Sequence, residues 1–255
     1  MKIREWLGEI SYTLQQGSLD AEVSEVVYDS RKAGPGAVFI CMKGTRRDSH
    51  DFIPQVTEAG VRVLVTEHPV EVSSQVTVIV VGNGREALAR LSAARFGNPS
   101  RKLLMIGVTG TKGKTTTTHM VKTILEAAGK KTGMIGTNGV MIGTDHYPTV
   151  NTTPESYDLH RYFAQMTEAG CECCVMEVSS QAMKMHRVTG IVFDCAVFTN
   201  ISPDHIGPDE HADFAEYLFY KKQLFTQSRR AFVNLDDEHF QEIIKDIPCP
   251  WTGFG

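Results

Sequence analysis

Between residues 103 and 116 the chain passes from an apolar run, Leu103-Leu104-Met105-Ile106-Gly107-Val108, through Thr109-Gly110-Thr111-Lys112-Gly113 into Lys114-Thr115-Thr116. No other stretch restricts the fold as tightly. A strand leads into a Gly-rich turn, and a helix follows with Val121, Ile124, Leu125 and Ala128 expected on one face. Gly110 and Gly113 allow a sharp turn in which successive N–H groups converge on one phosphate, with the positive end of the new helix aimed at the same point. Lys114 can reach the β- and γ-phosphates, and the Thr115 hydroxyl can ligate Mg²⁺. The strict G-x-x-x-x-G-K-[ST] pattern is not met, because Val108 stands where its first glycine belongs. What remains is G-T-x-G-K-T in the strand-to-helix setting that such a loop requires.

Around this stretch the chain alternates strand and helix. Strands are expected over 103–108, 132–135, 173–178, 195–199 and 231–233, and helices over 114–128, 154–169, 214–226 and 237–245, with Pro154 in a first helical turn. Before it, strands over 24–29, 37–42, 61–66 and 76–81 and helices over 52–59 and 85–96 form a smaller set, and Gly97-Asn98-Pro99-Ser100 reads as a junction. The fold class is therefore α/β: a small N-terminal α/β domain over 1–98, then a mostly parallel sheet with helices on both faces over 99–255. Ligands of such sheets sit beyond the carboxyl ends of the strands, and the chemical motifs fall there.

With 255 residues, 42% of them hydrophobic and 22% charged, the chain has ample material for a core. A net charge of −4 without a Lys/Arg block gives no reason to expect nucleic acid. No apolar stretch is long enough for a membrane span, and Arg4 and Glu5 interrupt the N-terminus before a signal-peptide pattern forms. Cys41, Cys171, Cys173, Cys174, Cys195 and Cys249 match no zinc spacing, and a structural role suits them. Free thiols beside an ATP site imply a cytoplasmic protein.

Several residues invite two readings. Glu177 ends an apolar strand, where an acid can hold the Mg²⁺ that bridges ATP phosphates, although many buried strands end in an acid. His205, after the next strand, could bind a metal or be a solvated loop histidine. Asn151-Thr152-Thr153-Pro154 suits an anion, or an ordinary Thr cap with Pro at the first position. Arg187 could grip an anion or lie on the surface. Lys221 and Lys222 read as a solvated helix face.

Together these residues resemble the Mur ligase family, closest to its branch that adds an amino acid to a UDP-N-acetylmuramoyl-dipeptide. The motifs that carry the resemblance are Thr109-Gly110-Thr111-Lys112-Gly113-Lys114-Thr115-Thr116, Asn151-Thr152-Thr153-Pro154, Glu177-Val178-Ser179-Ser180, His186-Arg187, Asn200-Ile201-Ser202-Pro203-Asp204-His205 and Lys221-x-x-Leu224-Phe225, with Asp29-Ser30-Arg31 like the family's uridine-binding start. The resemblance implies a cytoplasmic, monomeric ATP-dependent ligase of peptidoglycan synthesis. Its N-terminal domain would bind UDP through Ser30, Thr45 and Arg46. Its central domain would hold ATP through Gly110, Thr111, Lys112, Gly113, Lys114, Thr115 and Thr116, with Asn234 near the base. Asn151, Thr152, Thr153, Ser179 and Arg187 would bind the muramoyl-dipeptide. Two Mg²⁺ ions would be held by Thr115, Glu177, His205 and a carbamylated Lys221, with Lys114, Glu177, His205 and Lys221 catalytic.

Three local departures stand out: Met185 where Gln is common, Thr45-Arg46 in place of His-Gln, and Ile206-Gly207-Pro208 after His205. Family members also continue past the equivalent of Gly255 into a C-terminal domain, so the resemblance implies a truncated central domain. The competing expectations are a non-catalytic nucleotide-binding fragment and a folylpolyglutamate- or cyanophycin-type ligase. The amine, L-lysine or diaminopimelate, is not legible.

Overall fold

Strands that are apolar on both faces set the architecture. The computed structural model describes every residue except Thr45, Arg46 and Asp209. The chain divides into two units, Met1–Gly97 and Asn98–Gly255. The first runs α1 (Ile3–Leu7), β1 (Tyr12–Gln16), β2 (Glu25–Val27), β3 (Ala37–Ile40), α2 (Ile53–Glu58), β4 (Val63–Thr66), β5 (Thr77–Val81) and α3 (Gly84–Arg95). Its sheet has the order β1-β5-β4-β3-β2. The strands β2 to β5 are parallel, and β1 adds an antiparallel edge. Every residue of β3 and β4 is buried, as a parallel sheet covered on both sides requires. The strand β1 escapes a sequence reading because it is a polar, largely exposed edge, Tyr12-Thr13-Leu14-Gln15-Gln16. The Asn83 side chain caps α3 by accepting from the Arg85 and Glu86 N–H groups.

The second unit runs β6 (Leu104–Thr109), α4 (Lys114–Ala127), β7 (Thr132–Gly136), β8 (Gly139–Ile142), β9 (Asp145–Tyr147), α5 (Ser156–Glu168), β10 (Cys173–Glu177), α6 (Ser180–Lys184), β11 (Cys195–Phe198), α7 (Phe214–Thr226), β12 (Ala231–Asn234), α8 (Phe240–Ile244) and β13 (Trp251–Phe254). The strands are ordered β13-β12-β11-β6-β10-β7-β8-β9. All pairings from β13 to β7 are parallel, and β8 and β9 continue the sheet as an antiparallel meander. The two-residue strand period distributes the core. Ile106, Val108 and Val175 face one way and meet Val121 and Leu125 of α4. Met105, Cys174 and Met176 face the other way and pack with Leu159 and Phe163 of α5 and Leu224 and Phe225 of α7.

Two expectations need correction. The α5 helix begins at Ser156 with Glu155 at its N-cap, so Pro154 lies outside the helix and Thr153 does not cap it. Its hydroxyl is already committed to the main chain of Glu177. On α4, Ile124 is exposed, Ala128 is an exposed residue at the C-cap, and Thr118 is the buried residue. The face that meets the sheet runs through 118, 121 and 125, and position 124 lies about 60° from 121 around the helix.

Candidate active site

The loop after β6 is shaped from two sides. Gly110 has φ +142° and Gly113 φ +84°, and a Cβ at Gly110 would overlap the Thr199 hydroxyl. Gly113 stands at the N-cap of α4 without a side chain to cap it. From the segment after β11, the Asn200 carbonyl accepts from Thr111 N–H at 2.8 Å, its Oδ1 accepts from Lys112 N–H at 2.9 Å, and its Nδ2 donates to Lys112 O at 3.0 Å. The Thr199 hydroxyl donates to the same Lys112 carbonyl, and Asn234 Nδ2 donates to Thr199 O. The segment 199–200 is thus the outer wall of the loop, a role that motif reading did not assign to it. The Lys114 Nζ folds back onto the loop, donating to Gly110 O at 2.8 Å and Thr111 O at 3.1 Å. Burial lowers its pKa, the positive Lys112 adds to this, and Glu177 opposes it. Lys112 points outward and pairs with Asp204 at 3.1 Å.

Glu177, at the carboxyl end of β10, is 1% exposed. Its Oε1 accepts from the Thr115 hydroxyl and from Thr137 N–H, both at 2.9 Å, and its Oε2 accepts from the Thr137 hydroxyl at 3.2 Å. A buried carboxylate and a hydroxyl from the phosphate loop, held by neutral donors alone, are the hard oxygen ligands that suit Mg²⁺. Gly136 makes room for this group, since a Cβ there would overlap Glu177 Oε1. Gly136→Ala is therefore expected to displace the carboxylate from Thr115 and to weaken Mg²⁺-dependent nucleotide binding about tenfold. Titration of nucleotide with and without Mg²⁺ checks this, and the metal-free arm should change little.

Thr153, Ser179 and Arg187 lie beside Glu177. The Thr153 hydroxyl donates to Glu177 O at 2.9 Å and accepts from Ser179 N–H at 3.1 Å. The Ser179 Oγ caps α6 by accepting from Ala182 N–H. Thr152 and Thr137 join through their hydroxyls at 3.1 Å. Arg187 is no surface arginine. Its side chain is 12% exposed, with Nε on Glu155 Oε1 at 2.8 Å and an amino group on Thr153 O at 3.1 Å. Asn151 is exposed at the rim of a cavity of about 280 Å³ that also meets Glu155 and Arg161.

Lys221 is not on a solvated face. It is 2% exposed, donates to Gly110 O at 2.7 Å and lies 4.5 Å over the Tyr217 ring. Burial first, then the charge of Lys114, drives its pKa well below the ordinary lysine value. Lys222, by contrast, reaches the carbonyls of Glu242 and Lys245. A cavity of about 190 Å³ gathers Lys114, Ser179, His205 and Lys221, together with Ser180, to which the motif assigns no role, and His211, which lies outside the motifs. His205 is half exposed, adopts φ +54°, and pairs through Nδ1 with Glu210 at 2.9 Å. Ser30 opens a short 3₁₀ turn in the first unit, where Asp29 accepts from Arg31 N–H. Thr45 and Arg46 lie outside the described residues.

The profile of the Mur ligase middle domain matches residues 108–255, more than half of the chain. The chain belongs to the Mur ligase family. The family's catalytic-domain profile also matches residues 22–96. A Clostridium perfringens protein named UDP-N-acetylmuramoyl-L-alanyl-D-glutamate--2,6-diaminopimelate ligase is 42% identical over 97% of this chain and 51% of its own length. A protein of the same name from Geobacillus thermodenitrificans is 49% identical over 78% of this chain and 40% of its own. A solved structure with that ligase name has the same fold, with a TM-score of 0.83 at 22% identity over 99% of this chain and 52% of its own. The chain spans about half the length of the curated relatives it matches.

One further cluster of this Mur-family chain resembles a metal centre. Among the described residues, Asp48, His50 and His68 bring ligand atoms within 4.8 Å of one another. Both His50 nitrogens are already engaged, however: Nδ1 with Asp48 Oδ1 and Nε2 accepting from Glu67 N–H at 3.0 Å. The histidine therefore fastens the chain after β3 to the end of β4. The six cysteines are free, and burial pushes their thiols up, Cys41 to about 12, which suits packing and not reactivity. No helix among the described residues is long and apolar enough to cross a membrane.

Proposed function

We propose that this chain carries the nucleotide-binding and substrate-activating part of an ATP-dependent ligase that extends UDP-N-acetylmuramoyl-L-alanyl-D-glutamate by one amino acid in peptidoglycan synthesis. The observation that carries the reading is the convergence of Lys114, Glu177 and Lys221 at the carboxyl ends of β6 and β10, around one phosphate loop. The relatives' names point to 2,6-diaminopimelate as the amine. The UDP-linked dipeptide in the relatives' names favours such a substrate over a folate.

In the first step a carboxylate oxygen of the D-glutamyl group attacks the γ-phosphorus. The bond to the β-phosphate oxygen breaks, and ADP leaves. In the second, the amine nitrogen attacks the acyl carbon, phosphate departs with the former carboxylate oxygen, and a proton is lost. Lys114 leaves its loop carbonyls to meet the phosphates, and the backbone N–H groups around Gly113 hold them. Thr152, Thr153, Ser179 and Arg187 orient the muramoyl-dipeptide, Arg187 through the edge of its guanidinium that Glu155 and Thr153 leave available. Thr115, Glu177 and His205 would hold Mg²⁺, which offsets the charge of two anions brought together. Because burial favours its neutral amine, Lys221 can attack CO₂ and lose a proton, giving a carbamate beside Lys114 that would support a second ion.

Isothermal titration of the 255-residue chain with UDP-N-acetylmuramoyl-L-alanyl-D-glutamate tests this assignment. One-to-one binding is expected, with no heat from a folate. Nucleotide binding without binding of the UDP-linked dipeptide would reduce the chain to a nucleotide-binding module.

A further inference from the structure

We propose that His211, through its bond to Ser180, is a positioning residue that holds the His205 segment against the carboxyl end of β10. The proposal rests on reading Glu177 and His205 as metal-holding groups.

The His211 side chain is 1% exposed. Its Nε2 lies 2.9 Å from Ser180 Oγ, and Ser180 opens α6 three residues after Glu177. Its main chain is tied to the other candidate ligand: His211 N–H donates to His205 O at 3.1 Å, and His211 O accepts from Gly207 N–H at 3.0 Å. The ring packs 5.3 Å from Tyr217, whose hydroxyl meets Thr111 Oγ1 of the phosphate loop at 3.2 Å. One buried imidazole thus joins the three segments that carry Glu177, His205 and the loop.

Its chemistry argues against simple filling. A leucine would occupy the space without desolvating two nitrogens, and only one of the two finds a hydrogen bond here. The other, Nδ1, is 3.6 Å from Glu216 Oε2, which is engaged by Ala212 N–H and Lys184. The polar residue is retained where its single good bond spans the two segments. His205 needs such a brace, because its side chain is half exposed and its backbone left-handed, with Asp204, Glu210 and the Tyr217 ring as its neighbouring partners among the described residues. Groups behind a metal ligand typically change affinity ~10–100-fold when removed.

The test uses the 255-residue chain with Mn²⁺ and an ATP analogue carrying a methylene bridge between the β- and γ-phosphates. Electron paramagnetic resonance reads bound Mn²⁺, and the nitrogen modulation of its echo reads a coordinated imidazole. His211→Leu and Ser180→Ala are expected to weaken Mn²⁺ binding about tenfold and to diminish the nitrogen modulation, with the melting temperature little changed. His211→Gln, whose amide can reach the Nε2 position, should stay within about threefold of the native chain. Should His211→Leu fail to fold, Ser180→Ala decides. If His205→Ala weakens binding while His211→Leu and Ser180→Ala do not, the positioning role is wrong and the ligand reading survives. If His205→Ala binds Mn²⁺ as the native chain does, the ligand reading falls and takes the positioning role with it.

Discussion

Replacing Lys114 with alanine is expected to lower ATP-driven phosphate release by about 10³-fold, measured on the chain extended to its relatives' length. The Lys114 amine folds back into the loop, within hydrogen-bond distance of Gly110 O and Thr111 O. Those carbonyls hold it only until phosphate oxygens offer a stronger, charge-assisted bond. On the proposed reading, its loss removes a donor to the β- and γ-phosphates, where charge moves as the phosphoryl group transfers. It also removes a cation that helps lower the pKa of Lys221. Release of phosphate at the native rate by Lys114→Ala would take the loop out of the chemistry.

Lys221 carries the second large effect, in two opposite directions. Lys221→Ala should cripple ligation, and a short carboxylic acid should restore part of it by supplying the missing anion. Lys221→Met should be just as inactive yet more stable. Burial holds the folded-state pKa of this lysine well below its ordinary value. Above about pH 10.5 the amine is neutral folded or unfolded and costs nothing. As the pH falls from there, the unfolded chain takes up a proton that the folded chain refuses, and stability is lost at about 1.4 kcal/mol per pH unit until the folded pKa is reached. Methionine removes that penalty, and Gly110 O keeps Lys114 as its donor. A gain of ~2 kcal/mol, or a melting temperature higher by about 4–8 °C, is expected near pH 7 in CO₂-free buffer, shrinking towards pH 10. An equal difference at both pH values would contradict this origin.

The elements that carried over from sequence to structure are those whose pattern is local. The run ending at Val108, the run ending at Glu177 and the Gly110–Gly113 turn are each specified by neighbouring residues, and each stands where its pattern implies. Elements whose reason is tertiary were not legible. In the β8–β9 meander the first strand is largely buried and the second exposed, and neither carries a clear alternation. The exposed edge β1 reads as polar loop. Lys221 followed a surface pattern, because adjacent lysines on a helix say nothing of a cavity that three strand ends create. Thr137, Asn200, Tyr217 and His211 serve partners 40, 88, 106 and 31 residues away, a distance at which no spacing rule operates. A threonine in the Gly136-Thr137-Asn138-Gly139 turn was the one available hint, as a polar group where β7 reaches the ligand end of the sheet.

Gly113 gives α4 a beginning that the protein leaves unfinished. Serine, threonine, aspartate and asparagine are the residues preferred for closing a helix's first turn, and α4 offers no side chain for the purpose. Whatever anion settles there completes the helix as well as the complex. An anion bound there would draw on the same amide hydrogens that a capping side chain otherwise satisfies.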